Sequence, residues 1–406
     1  MVGARRAIAA CRWVVLGAMS GALAGVAAYV FLRLLEAATD ARLEHGWLVW
    51  TLPAVGLAVG LVYHHAGGRA RAGTPLVIDE IHRPDLGVPA TMAPLILGGT
   101  LASHLAGASV GREGTGLQMS ASLTDTAARL LRLSRDDRNT LLVASLAGGF
   151  GAVFAVPVTG LVFAMEVQPL RANRHRALLA SATAALVGDR VVRGLGHHVA
   201  LWPQVGLGRG HVVSVGDMAK IAVAALAFGV VAKLFVETVH AVRHTVVDRV
   251  RWAPLAPALG GIVTLVLVGL VGRRYLGLSI PLLDDALAGA HPGLHVALLK
   301  LLFTVVALGS GFVGGEVTPL FVVGATLGGA LDRWLDLPPQ VLAACGMVAV
   351  FGAAANTPIA CTVLAAELFG SSMLVPAAIA CVVAFTVSGR HGIYLERPQR
   401  RATQEA

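Results

Sequence analysis

GASVGREGTGLQMSASL, residues 107–123, places a charged pair inside apolar sequence. In this stretch Gly111 and Gly114 flank Arg112 and Glu113, and a helix-like run follows. Ionisable residues at membrane depth are costly, and by default they mark a transport pathway or a counter-ion. The glycines indicate a break between helices, which frees backbone N–H groups at the start of the next helix. A carboxylate held by such groups would compete with a mobile anion for them.

The composition is that of a membrane protein. The chain has 406 residues, of which 56% are hydrophobic and 14% charged, whereas soluble domains carry about 25% charged residues. Stretches free of Asp, Glu, Lys and Arg approach or exceed the roughly 18 apolar residues of a membrane span. They are residues 13–32, 46–63, 86–110, 252–272 and 368–389. Two longer stretches, 139–165 and 338–366, each contain a proline, at Pro157 and Pro358, and are predicted to form two shorter helices apiece.

The net charge of +9 comes from 32 basic and 23 acidic residues. Many basic residues cluster in short loops, which is the pattern of positive-inside topology. These clusters are Arg171, Arg174 and Arg176; Arg243, Arg249 and Arg251; and Arg397, Arg400 and Arg401. The pattern predicts cytoplasmic termini in a multi-pass protein of the cell inner or plasma membrane, in contact with lipid and without a nucleic-acid partner. The four cysteines stand singly, without metal-ligand spacing, so we expect neither a metal nor a cofactor.

Two motifs recur about 200 residues apart. G-R-E-G-T-G-L begins at Gly111 and G-G-E-V-T-P-L at Gly314, an offset of 203 residues. A proline also precedes a glutamate by nine residues in both halves, at 157–166 and 358–367, an offset of 201. The shared order indicates a duplication, and inverted repeats in transporters place a site at their interface. We therefore expect an all-α chain with a cytoplasmic N-terminus, two membrane repeats and a short C-terminal helix and tail, at residues 1–12, 13–200, 201–389 and 390–406.

Thr-Pro pairs open three helical runs, at residues 74–75, 318–319 and 357–358. Threonine suits the N-cap of a helix and proline its first position. Together with a fourth start at Glu113, these helices are expected to direct their positive ends at one midplane site that attracts anions. For any single pair, an ordinary helix start at the membrane surface is the alternative.

Other polar residues are given ordinary roles. We expect His104 to be a hydrogen-bonded core histidine rather than a proton relay. Asp79, Glu80 and His82 are expected to form a solvated helix face rather than a metal site, because no partner spacing supports ligation.

These motifs resemble those of the CLC family of chloride channels and proton-coupled anion antiporters. The resemblance rests on GREGT followed by GLQM, on GSGFVGGEVTP, on the paired Pro…Glu helices and on Tyr394, and it covers essentially the whole transmembrane part. GREGT in place of GREGP, and GGEVTP in place of G-x-F-x-P, look like the fluoride/proton antiporter branch, CLC-F. The resemblance implies a CLC-like inverted repeat with tilted and broken helices. It also implies a homodimer, with helices 157–166 and 358–370 as candidate interface.

The resemblance further implies roles for single residues. Glu113 matches the gating glutamate, which alternates between blocking the anion path and carrying a proton. Arg112 and Gly114 match residues that shape the outer anion site. Glu316 and Val317 match residues whose backbone N–H groups face the central anion site, and Tyr394 matches the tyrosine whose hydroxyl closes that site from inside. The expected anion-binding residues are Gly111, Arg112, Gly114, Thr115, Gly73, Thr74, Glu316, Val317, Thr318 and Tyr394.

Two departures from the chloride-type pattern bear on mechanism. Chloride-type members place a serine in a G-S-G-x-P loop, where this chain has R-A-G-T-P. Aligning the prolines puts Ala72 at the serine, whereas spacing to Glu113 puts Thr74 near it. The internal proton glutamate of chloride/proton exchangers should follow Glu166, but Val167 stands there. Protons then either take another route inside or are not coupled to the anion.

The expected function is a homodimeric antiporter that exports fluoride against inward proton movement, as the resemblance implies. A CLC-type chloride/proton exchanger or a passive anion channel is the alternative. An enzyme that uses Glu113 and His104 as acid and base is disfavoured, because no nucleophile elbow, metal signature or phosphate loop appears. A purely structural protein is disfavoured by the repeated ionisable motifs. Glu316 is either a structural acid or a direct part of transport, since a carboxylate repels anions unless it is paired or protonated.

Overall fold

A computed structural model describes residues 2–82, 85–167, 174–197 and 214–394. The described residues form sixteen α-helices and no β-strand, which confirms the all-α prediction. The described residues do not include Arg171 or residues 395–406 of the predicted tail, which contain the C-terminal cluster at Arg397, Arg400 and Arg401.

The helices of the second half repeat those of the first in order. The first set is α1 Val2–Glu44, α2 Leu52–Ala66, α3 Thr74–His82, α4 Met92–Ala106, α5 Glu113–Leu130, α6 Arg135–Phe154, α7 Pro157–Glu166 and α8 Arg174–Gly194. The second set is α9 Val215–Arg249, α10 Leu255–Val271, α11 Ile280–Leu287, α12 Leu294–Ser310, α13 Val317–Leu335, α14 Pro339–Ala355, α15 Pro358–Phe369 and α16 Leu374–Ser388. The expected boundary between repeats falls between residues 198 and 213, outside the described residues.

The proline-containing stretches divide into two helices each, as predicted. α6 ends at Phe154 and α7 begins at Pro157, while α14 ends at Ala355 and α15 begins at Pro358. A proline lacks the backbone N–H that helix continuation requires, but its fixed φ suits the first turn of a new helix.

Some of the remaining apolar stretches are longer than the helices that they contain. Residues 86–110 form a helix only over Met92–Ala106. Its 15 residues extend about 22 Å at 1.5 Å per residue, which is shorter than the hydrocarbon core of a bilayer. By length and composition, four helical segments are able to cross a membrane: Ile8–Glu44, Gly46–Ala66, Val215–Val246 and Ser371–Ser388. The described chain therefore combines long spans with short helices that begin and end inside the bundle.

The two repeated motifs meet at Gly111 and Gly315, which form an antiparallel bridge. The Gly111 N–H donates to the Gly315 carbonyl over 2.5 Å, and the Gly315 N–H donates to the Gly111 carbonyl over 2.8 Å. A Cβ on Gly315 would lie 2.8 Å from the Gly114 nitrogen. This closeness explains why both motifs carry glycine here.

The two halves of the chain also contact each other through helices α7 and α15. The Glu166 carboxylate at the end of α7 accepts the N–H groups of Ile359 (2.9 Å) and Ala360 (2.6 Å) at the start of α15. The Glu367 carboxylate near the end of α15 accepts the N–H groups of Val158 (3.1 Å) and Thr159 (2.8 Å) at the start of α7. Each glutamate of the repeated motif thus caps the helix of the other repeat, so the two helices run antiparallel.

Candidate functional site

Glu113 is the first residue of α5, and its side chain is fully buried. Its carboxylate accepts hydrogen bonds from the Arg112 N–H (3.1 Å), the Thr318 N–H (3.1 Å) and the Thr318 hydroxyl. Thr318 is the second residue of α13, so its N–H has no partner within that helix. The positive end of the α13 dipole favours a negative group at this place. The carboxylate of one repeat therefore lies on the helix N-terminus of the other.

Other predicted residues surround this carboxylate. The Arg112 Nε lies 3.4 Å from the Glu113 Oε1, and its guanidinium lies over the Phe154 ring. Gly114 packs against Gly315 of the opposite motif. Gly111, Arg112, Gly114 and Thr318 are thus brought together around Glu113.

Two predicted residues, Thr115 and Val317, do not line the cavity described next. The Thr115 hydroxyl is buried and pairs with the Thr100 hydroxyl of α4 at 2.7 Å, and its role toward an anion stays a prediction. Val317 is the first residue of α13, so its backbone N–H lies at the same helix N-terminus as that of Thr318.

A cavity of about 350 Å³ contains the other predicted residues. Gly73, Thr74, Glu316 and Tyr394 line it. Its lining runs from exposed side chains, such as Arg71, to buried ones, such as Thr74 and Tyr394. The cavity therefore leads from the surface to the interior.

Both candidates for the serine position of chloride-type members, Ala72 and Thr74, line the cavity. Ala72 is exposed and has no polar side-chain atom. The Thr74 hydroxyl is buried and accepts a hydrogen bond from the Gln118 Nε2 over 3.3 Å. Of the two, only Thr74 provides a hydroxyl deep in the cavity.

Glu316 is the N-cap residue of α13, and it lines the cavity. Tyr394 and Arg243 line the same cavity. The carboxylate beside the expected anion route thus shares the cavity with a hydroxyl and a guanidinium group.

The sequence interpretation missed three residues. Gln118 lies in the quoted motif but had no assigned role, and Arg243 was assigned to topology alone. Lys300 is fully buried, and its Nζ lies within hydrogen-bond distance of the hydroxyls of Ser109 and Ser279 and of the carbonyls of Tyr275 and Gly277. A lone lysine in the otherwise uncharged helix α12 is a signal that could have identified it.

The positions of His104 and Glu80 can be compared with the roles expected for them from sequence. The buried His104 places its Nε2 3.5 Å from the Gly111 carbonyl, as expected of a core histidine. The solvated face expected around Glu80 is wrong for that residue, which is 3% exposed. Its carboxylate accepts hydrogen bonds from Arg69 and from the Asp85 N–H, and these partners make its burial possible. Among the described residues no group of three or more His, Cys, Asp or Glu is able to hold a metal.

Comparison with known proteins agrees with this architecture. A family model described as voltage gated chloride channel matches residues 55–389. A "Chloride/fluoride channel protein" of Pseudomonas syringae pv. tomato is 42% identical, over 94% of this chain and 85% of its own length. An "H(+)/Cl(-) exchange transporter" of Vibrio vulnificus is 28% identical, over 89% of this chain and 82% of its own.

Solved structures share the fold. The crystal structure of a CLC-type fluoride/proton antiporter has a TM-score of 0.89 and 29% identity, and covers 95% of this chain and 97% of its own. A slow cyanobacterial Cl⁻/H⁺ antiporter has a TM-score of 0.77 and covers 95% of each chain, and at 19% identity it supports the fold alone. The predicted CLC-like fold is confirmed. The chain therefore belongs to the voltage-gated chloride channel family, CLC, whose members are multi-pass membrane channels and antiporters for anions.

Proposed function

We propose that this chain is a proton-coupled fluoride antiporter that exports fluoride across the cell inner or plasma membrane. Glu113 is its gate and proton carrier. The observation that carries this proposal is the buried Glu113 carboxylate, held on the N-terminus of α13 by the N–H and hydroxyl of Thr318. In this proposal the carboxylate occupies hydrogen-bond donors that would otherwise bind an anion, at the interface of the two repeats. It therefore blocks the anion path until it is protonated.

The coupling follows from competition for these donors. An ionised Glu113 occupies the Thr318 and Arg112 donors, so a mobile anion is excluded from them. Protonation removes the charge that the helix end attracts, so the side chain leaves and the donors become available. When the anion moves on, Glu113 returns and releases its proton. One site thus alternates between an anion and a carboxylate, and the two fluxes are opposed.

The route on the other side of Glu113 is the 350 Å³ cavity. In this proposal the hydroxyls of Thr74, Thr318 and Tyr394 replace part of the hydration shell of the entering anion. Glu316 and Tyr394 line the same route, which favours a direct part in transport over a purely structural one.

Fluoride as the anion is supported by two comparisons. The relative from Pseudomonas syringae is named a chloride/fluoride channel protein, and the similar solved structure is a fluoride/proton antiporter. A chloride/proton exchanger or a passive anion channel is the second candidate. The Vibrio relatives, named H⁺/Cl⁻ exchange transporters, support the exchanger.

We further propose that the chain forms a homodimer through α7 and α15. Both helices have few polar residues, and each presents an exposed apolar side chain in its first turn, Val158 (53% exposed) and Ile359 (63% exposed). An apolar surface formed by both repeats suits a second copy of the same chain.

Efflux from liposomes tests the function. Vesicles containing the purified protein are loaded with fluoride or with chloride, and anion efflux and external pH are recorded together. The proposal predicts fast fluoride efflux with proton uptake and slow chloride efflux. Equal rates for the two anions favour the chloride/proton exchanger if protons move, and a passive channel if they do not.

A further inference from the structure

The lining of the cavity has an uneven set of charges. Among its described lining residues, Arg71 and Arg243 are the arginines and Glu316 is the acid, and His240 also lines it. The two guanidinium groups and the one carboxylate sum to one positive charge when Glu316 is ionised. The effect of this charge on an anion depends on what each arginine already contacts.

Arg71 is engaged by the end of a helix. Its Nε donates to the Tyr63 carbonyl over 2.6 Å, and its Nη2 donates to the His64 carbonyl. Both carbonyls belong to the last turns of α2, which ends at Ala66. Because the C-terminal end of a helix carries partial negative charge, α2 offsets part of the charge of Arg71.

Arg243 has a different position. It lies on α9, one turn after His240, with an exposed side chain that lines the cavity. Glu316 lines the same cavity. Because opposite charges that line one cavity attract each other, Arg243 offsets the acid beside the anion route.

We propose that Arg243 recruits the transported anion at the mouth of the cavity. This proposal rests on the proposed function, because it assumes that anions enter through this cavity. Without Arg243, the charges of the remaining arginine and Glu316 cancel, and an approaching anion meets a cavity without excess positive charge and with a carboxylate in its lining. A cleft with excess charge of one sign concentrates ions of the other sign. Arg243 therefore sets the anion concentration at which transport reaches half its maximum rate.

Substitution of Arg243 separates recruitment from folding. In Arg243→Gln the half-saturating fluoride concentration should rise about two- to tenfold, which is the effect of one partly screened charge, with little change in maximum rate. Arg243→Lys should keep the wild-type value. Arg249→Gln is the matched control, because it removes the same charge from the same helix at a residue that does not line the cavity. It should also keep the wild-type value.

Ionic strength provides a readout that a structural role would not change. Exposed charges are screened over about 10 Å at 0.1 M salt. Raising an impermeant salt should therefore raise the half-saturating concentration of the wild-type protein and have a smaller effect on Arg243→Gln.

If Arg243→Gln fails to fold, chemical modification of a cysteine at position 243 provides the same test. Arg243→Cys in a Cys11→Ser background leaves the three buried cysteines as the other thiols. One folded preparation is modified in detergent with a trimethylammonium, a neutral or a sulfonate thiosulfonate reagent and then reconstituted. The half-saturating concentration should be lowest with the positive group and highest with the negative one.

These outcomes decide the proposal. Equal half-saturating concentrations for Arg243→Gln and Arg249→Gln, or for the three modified proteins, would overturn it. If the wild-type protein moves chloride and not fluoride, the proposed selectivity fails. Recruitment by Arg243 is then tested with the same variants on chloride.

Discussion

Thr318 supplies two of the hydrogen bonds that hold Glu113, one from its N–H and one from its hydroxyl. We expect Thr318→Val to weaken the closed position of the carboxylate, since a hydrogen bond to a charged group contributes about 1.5–3 kcal/mol. The path then opens more often without protonation, and the ratio of fluoride to proton flux rises. Simultaneous fluoride and pH recording measures this ratio.

Thr318→Ser is the control for that experiment. It keeps the hydroxyl and should keep the wild-type flux ratio. A wild-type ratio in Thr318→Val would show that the hydroxyl does not hold the gate.

The sequence predicted the residues around Glu113 better than those of the cavity. Glu113 stood out because an ionisable residue in apolar sequence is by default a functional-site hypothesis. Gln118 and Arg243 could not be found in this way, because their role depends on which helices meet. Spacing alone also does not show that the Thr115 hydroxyl faces Thr100, and its role toward an anion stays a prediction.

At the scale of elements, the reciprocal caps of α7 and α15 join the repeats. Glu166→Ala should remove the cap from the start of α15, and Glu367→Ala that from α7. Each should lower the free energy of unfolding by about 0.5–2 kcal/mol, the range for loss of a helix cap. Thermal unfolding in detergent measures the change.

Glu237→Ala is the matched control for the caps. Glu237 is an exposed residue on α9 that pairs with Lys233 four residues before it, and such surface pairs contribute about 0–1 kcal/mol. If all three variants unfold at the same temperature, the caps do not stabilise the contact between α7 and α15.

Helix starts were predictable where a proline fixes them. Pro157 and Pro358 begin helices as expected, and Thr357 is the N-cap of α15. Thr318 is not an N-cap, because α13 begins one residue earlier, at Val317, and this places its N–H on Glu113. Stretches without proline or charge, such as 86–110, gave poor boundaries, because hydropathy does not show where a short helix ends inside a bundle.

At the scale of the whole molecule, we expect a stable homodimer in detergent and in bilayers. Ile359→Trp enlarges an exposed side chain at the start of α15 and should shift the equilibrium toward monomers without unfolding the chain. Mass measurement of single particles in detergent reports the shift. Val266→Trp is the control, since Val266 is similarly exposed on α10 (58% against 63%). A wild-type protein that stays monomeric, or equal effects of both variants, would contradict this interface.

The duplication was visible in sequence through offsets of 203 and 201 residues between the repeated motifs. Its inverted direction was expected from transporters in general and from the resemblance to CLC proteins. The reciprocal caps of α7 and α15 show that this pair of corresponding helices runs antiparallel. The identity of the anion does not follow from either, because hydroxyl and N–H donors suit fluoride and chloride alike.

The most direct test of the account is uphill proton movement. Vesicles with equal potassium inside and outside and valinomycin hold the membrane potential near zero, so a fluoride gradient moves protons against a pH gradient only through coupling. The account predicts fluoride-driven uphill proton uptake by the wild-type protein. It predicts none by Glu113→Gln, which keeps the shape of the side chain and should fold and dimerise. Uphill proton uptake by Glu113→Gln at near the wild-type rate would contradict the assignment of Glu113 as gate and proton carrier.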